Sequence, residues 1–179
     1  VFTPSGSIAI NIPATIRNVI GDIDNDGDLD IIAGHSEYFG QFKILRNDGN
    51  GGFTSEPGMN LGAHPDEFAG GDFDGDYDLD FVHCSWYMDG ISLILNDGQG
   101  NYIDYLNLGN VGGQSRNPVV SDFDGDGDLD FTVAFNHFSD FNIGIAKNNG
   151  HPNYELNLSY PIPGLKGITA ADFDNNGSV

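Results

Sequence analysis

Basic residues are scarce in this chain. Six Lys and Arg stand against 27 Asp and Glu in 179 residues, for a formal charge of −21. Nucleic-acid binding needs clustered cations to displace counterions from phosphates, so that class is excluded. Cysteine is as thin: Cys84 stands alone. No intrachain disulfide can form, and a lone Cys inside an apolar run reads as a small buried hydrophobe. No apolar run approaches the roughly 18 residues of a membrane-spanning helix. Helical periodicity is missing as well. So are the Gly-x-Ser-x-Gly, His-Glu-x-x-His and phosphate-loop signatures. The five His have no zinc-like spacing and read as surface or hydrogen-bonding groups. Glycine is plentiful, at 26 residues, which with the prolines suits many short strands and turns.

Aspartate is abundant, and its placement is periodic. Asp22 to Asp30 reads DIDNDGDLD, Asp72 to Asp80 reads DFDGDYDLD, and Asp122 to Asp130 reads DFDGDGDLD. A fourth copy starts at Asp172 and runs DFDNNGSV to the last residue. The copies begin at 22, 72, 122 and 172, a period of 50, which marks an array of supersecondary units. Of the 27 acidic residues, 17 lie in these copies.

Five carboxylates in nine residues repel one another strongly unless a cation sits among them. Oxygen ligands from alternate residues of a tight loop suit calcium. Side-chain ligation is assigned to positions 1, 3, 5 and 9: Asp22, Asp24, Asp26 and Asp30; Asp72, Asp74, Asp76 and Asp80; Asp122, Asp124, Asp126 and Asp130. Position 7 (Asp28, Asp78, Asp128) would offer its backbone carbonyl. One ion is expected for each of the three complete loops, with a weaker fourth at Asp172, Asp174 and Asn176. Gly27 and Gly127 permit the turn at position 6, whereas Tyr77 makes the second turn either less ideal or slightly strained. An EF-hand is excluded, because its twelfth-position Glu is replaced by Ala33, His83 or Val133.

DFDGDGDLDF resembles the calcium loop of FG-GAP or VCBS repeats, the units of integrin-α-like β-propellers. The resemblance extends over nearly the whole chain and implies an all-β propeller of four-stranded antiparallel blades. Residues 1–12 then form the last strand of a preceding blade. Blades follow at 13–62, 63–112 and 113–162, and 163–179 begin another. Expected strands in the first unit are Ile16–Gly21, Leu29–Gly34, Gln41–Arg46 and Phe53–Leu61, with an Asp-Gly turn before the last. In the second they are Phe68–Gly71, Leu79–Ser85, Ile91–Leu95 and Tyr102–Leu108. In the third they are Pro118–Ser121, Leu129–Phe135, Asn142–Lys147 and Tyr154–Tyr160, and Gly167–Ala171 starts a fourth. Gly21, Gly71, Ser121 and Ala171 before each loop fit a crowded inner strand. Ile23, Phe73, Phe123 and Phe173 are expected to plug the space beneath each loop. Leu29, Leu79 and Leu129 are expected to face inward, followed on the same face by Ile31, Phe81 and Phe131.

Alternation of a meander puts the acidic loops and Asn/Asp-Gly turns at one end and the strand-two-to-three loops and linkers at the other. The second end differs in every unit. Trp86, Tyr87 and Arg116 there are candidates for ligand binding, while Phe39, Phe138 and Phe141 are expected to pack between blades. The resemblance is shared by adhesion receptors, lectins and polysaccharide-acting enzymes. The expectation is a calcium-stabilised extracellular module, not itself an enzyme, that binds a glycan or protein. A structural surface or filament repeat and the propeller of a polysaccharide-acting enzyme are the alternatives. Three blades turn too little to close a ring, so further sequence or other chains are expected to complete it. Asn157 and Asn176 match the glycosylation acceptor pattern.

Overall fold

The computed structural model describes residues 15–35, 41–61, 67–85, 90–110, 113–137, 140–165 and 167–173. Twelve strands form three four-stranded antiparallel sheets, with no helix among the described residues. The first blade holds β1 (Thr15–Gly21), β2 (Asp30–His35), β3 (Gln41–Asn47) and β4 (Phe53–Asn60) in sequential order. The second holds β5 (Glu67–Gly71), β6 (Asp80–Cys84), β7 (Gly90–Asn96) and β8 (Tyr102–Asn110). The third holds β9 (Gln114–Ser121), β10 (Asp130–His137), β11 (Asp140–Asn148) and β12 (Tyr154–Pro161). Each sheet is therefore the up-and-down meander expected of a propeller blade.

Strand positions agree with the sequence reading, and boundaries move by a few residues. The largest difference is β9, which starts at Gln114 and not at Pro118. A register shift beside Asn117, whose φ is 50°, lets that strand continue across Pro118. Proline has no N–H to give a ladder, and a bulge is where a strand tolerates it. The expected strand at Gly167–Ala171 is not formed.

The core lies between blades. Strands β1, β5 and β9 run beside one another, so the first strand of each blade is innermost. The middle blade is covered on both faces, and its side chains sort by alternation. Phe81 and Ile94 face the first blade, where they join Val19, Ile23, Ile32, Phe42 and Ile44. Val82, Cys84, Leu93 and Leu95 face the third, where they join Phe131, Val133, Phe135 and Ala146. Phe42, Phe68, Phe81 and Tyr102 meet edge to face, with ring centroids 4.8–5.9 Å apart. Burying each such ring contributes about 1.5–3 kcal/mol, with a further increment of about 1 kcal/mol for the edge-to-face geometry.

This packing corrects several expectations. Ile23 and Phe73 are fully buried, as plugs should be, and each packs with core residues of its own blade and of the next. Phe123 is half-buried and Phe173 is 85% exposed. Leu79 and Leu129 pack against the clusters that hold Phe81 and Phe131, on the face expected. They reach back over Gly21 and Gly71 of the blade before, and a Cβ at Gly21 would lie 2.5 Å from Leu79 Cδ2. The space before each loop is tight because the next blade's leucine fills it. Leu29, with no described blade behind it, is 59% exposed. His83 is buried and stacks at a tilt on Phe68, 5.4 Å away, so it is not a surface group. Cys84 is buried as expected, and desolvation drives its thiol pKa up.

Candidate metal centres

Each acidic loop joins the two inner strands of its blade. Positions 4 and 6 both take the left-handed conformation: Asn25 and Gly27, Gly75 and Tyr77, Gly125 and Gly127. That double reversal folds the loop around the first Asp. Asp22 accepts from the backbone N–H of Asp26 and Gly27, Asp72 from Gly75, Asp76 and Tyr77, and Asp122 from Gly125 and Gly127, all at 2.7–3.1 Å. At Tyr77 the φ of 73° is one an L side chain adopts at a cost, so the strain expected in the second turn is present.

The ninth-position Asp anchors the loop. Asp80, buried, accepts from Phe73 N at 2.9 Å with one carboxylate oxygen and from Asn96 N at 2.8 Å with the other. Asp30 does the same with Ile23 and Asn47, and Asp130 with Phe123 and Asn148. The Asn closing strand three thus ties the second turn of each blade to its acidic loop. It also reaches sideways: Asn96 Nδ2 donates to Ile23 O and Asn148 Nδ2 to Phe73 O, each in the preceding blade. Tyr154 adds a hydroxyl bond to Phe73 O at 3.0 Å.

Positions 1, 3 and 9 converge. Asp22, Asp24 and Asp30 each offer a carboxylate oxygen within 4.8 Å of the other two, as do Asp72, Asp74 and Asp80, and Asp122, Asp124 and Asp130. Position 5 lies outside these groups. Asp26, Asp76 and Asp126 accept instead from the N–H of Asp28, Asp78 and Asp128 at 2.9–3.0 Å. The position-7 side chains serve the neighbourhood: Asp78 accepts from Asn25 Nδ2 of the preceding loop at 2.7 Å. Asp172 is described without a complete loop around it, and Asp174 and Asn176 lie outside the described residues.

The electrostatics suit a cation. Desolvation raises the carboxyl pKa of Asp24, Asp74 and Asp130, and pushes that of Asp80 up to about 7. Asp24 Oδ1 is shut off from solvent with no hydrogen-bond partner. A buried carboxylate oxygen without a donor is costly unless something positive meets it. Asp124 differs: Lys147 Nζ, 2.5 Å away, holds its pKa low. Three clustered carboxylates form a hard, all-oxygen donor set, which fits calcium and not a soft transition metal.

At the opposite end, Trp86 and Tyr87 lie outside the described residues, as do Phe39 and Phe138. Arg116 is half-buried, with its guanidinium 5.4 Å from the centre of the Phe141 ring. Phe141 thus underlies Arg116 within the third blade. Sequence reasoning passed over Arg46 and Lys147, which both reach an acidic loop from the next-to-last position of strand three. Their only signal was the residue type just before Asn47 and Asn148.

These sheets and loops define a class: consecutive β-propeller blades, each with a carboxylate cage between its two inner strands. Residues 22–83 match the FG-GAP-like repeat family. No curated protein matches the chain. Among solved structures, an Agrocybe aegerita lectin described as specifically recognising non-reducing terminal N-acetylglucosamine is similar, with a TM-score of 0.55 and 21% identity. The likeness covers 78% of this chain and 37% of the lectin, so the chain spans well under half of that protein's length. At this identity the likeness establishes the fold.

Proposed function

We propose that the chain is part of a calcium-stabilised extracellular β-propeller that recognises a glycan or a protein, and that it is not an enzyme. The observation that carries the reading is the contrast between the blade ends. One end repeats the same carboxylate cage three times. The other carries β2–β3 and β6–β7 connections of unrelated sequence, HSEYFG and SWYMD, on a rigid scaffold. Millimolar extracellular calcium suits cages of this modest charge and flexibility. Glycan is the first ligand class to test, because the similar lectin is described as recognising one. Further blades, from the same or another chain, would cover Leu29 as Leu79 covers Gly21. A glycan array that includes N-acetylglucosamine-terminated sugars, probed in calcium and in EDTA, tests the reading. Saturable binding that is lost in EDTA is expected. Cleavage of a bound polysaccharide would replace the reading with an enzymatic one.

A further inference from the structure

The three cages are alike in their carboxylates and differ in what stands beside them. The residue before the Asn that closes strand three differs from blade to blade. It is Arg46 in the first blade, Leu95 in the second and Lys147 in the third. Arg46 Nη1 lies 3.4 Å from Asp24 and 3.7 Å from Asp30, two members of the first cage. Arg46 is also braced from outside, by Gly100 O at 2.8 Å and Glu56 at 3.7 Å. Lys147 pairs with Asp124 at 2.5 Å and, among the described residues, with no carboxylate outside the loop. Leu95 is buried in the seam with the third blade and offers no charge.

A divalent ion entering the first cage meets a positive group held in place by partners of its own. In the third cage it meets an ammonium on a flexible stem, which can swing into water once its carboxylate is claimed. In the second cage it meets three carboxylates, the apolar Leu95 and His151 of the neighbouring turn, which acts on Asp74.

We infer that the cages are graded, with the Asp72/Asp74/Asp80 cage filling first, the Asp122/Asp124/Asp130 cage second and the Asp22/Asp24/Asp30 cage last. Arg46 and Lys147 are built-in counter-cations that hold the outer loops together at low calcium and weaken their sites. The inference rests on the calcium reading above and deepens it.

The test is a calcium titration of the isotope-labelled, metal-free chain at pH 8, followed by amide NMR. Gly75, Gly125 and Gly27 report the second, third and first loops separately. Gly75 is expected to saturate at a calcium concentration at least tenfold below Gly27, with Gly125 between them. Lys147→Leu is expected to tighten the Gly125 transition about tenfold. Leu95→Lys is expected to weaken that of Gly75 by a similar factor. Three loops that titrate together, or a Gly27 that saturates first, would overturn the grading and leave calcium binding intact. An absence of shifts in all three loops up to 10 mM calcium (roughly the top of the range for extracellular modules) would overturn the calcium reading beneath it.

Discussion

Asn96 Nδ2 donates to the backbone carbonyl of Ile23 at 2.8 Å, 73 residues earlier in the chain. Through its own N–H the same residue holds Asp80 Oδ1. One residue therefore couples the loop of its own blade, through its backbone N–H, to the backbone of the blade before, through its side chain, and Asn148 repeats the arrangement with Asp130 and Phe73. Asn96→Ala leaves the buried Ile23 carbonyl without this donor, at a cost of about 1–3 kcal/mol. Thr54→Ala, on the exposed strand β4, should change stability by less than about 0.5 kcal/mol. Urea unfolding in excess calcium measures both. Equal effects would mean that the inter-blade bond contributes nothing.

Tyr77 is a site for stabilisation. Its ring is 90% exposed and its φ is 73°, so the side chain contributes little packing while its Cβ strains the backbone. Gly27 and Gly127 hold the same position at 93° and 100°. Tyr77→Gly should raise unfolding free energy by about 1 kcal/mol, and Gly127→Tyr should lower it by a similar amount. A destabilised Tyr77→Gly variant would show that the ring has a partner the fold depends on.

The loops were legible because their chemistry is local. Asp at positions 1, 3 and 9, with a left-handed residue between, can be read from nine letters. Strand positions were legible because alternation and Asp-Gly turns are also local. What the blades do to one another was not. Leu29, Leu79 and Leu129 look identical in sequence, yet Leu79 lies against Gly21 and Leu29 lies in the open. That Ile23 and Phe73 also reach the core of the next blade was not legible, because a seam between units 50 residues apart leaves no short-range pattern. The burial of His83 left no local sign for the same reason, since β6 is covered by blades on both sides. At position 5 one carboxylate oxygen accepts the N–H of position 7, a local bond that the spacing alone does not reveal.

Calcium should decide the stability of the array. Without a cation, three carboxylates in each cage face one another within 4.8 Å. A ligand at a hundred times its dissociation constant adds about 2.7 kcal/mol for each site. The melting midpoint should therefore rise by well over 5 °C between EDTA and excess calcium, using about 3 °C per kcal/mol for a chain of this size. Asp80→Ala should melt below the native chain even in calcium, because it also strands the N–H groups of Phe73 and Asn96. Identical midpoints with and without calcium would refute the stabilising role.

The pH dependence of the metal-free chain should run opposite to that of most proteins in weak acid. Burial pushes Asp80 up to about 7, and the N–H bonds from Asn96 and Phe73 oppose the shift without cancelling it. In the unfolded chain an Asp titrates near 3.9. Between about pH 4 and pH 7 the folded chain thus binds a proton that the unfolded chain has released. Stability falls as pH rises wherever the folded state holds more protons. This contribution is whole below about pH 4 and lost once pH passes about 7. Asp74 and Asp130, raised for the same first cause, add to the slope. In EDTA the midpoint should be higher at pH 5.5 than at pH 8, and Asp80→Asn should flatten the difference. Excess calcium should reverse the trend, because a bound cation favours the ionised carboxylate that a proton would otherwise occupy. Thermal scans at the two pH values, with EDTA and with calcium, provide the comparison. A metal-free midpoint that climbs towards pH 8 would show that the cages hold ionised carboxylates without help, and the argument for a cation among them would fall with it.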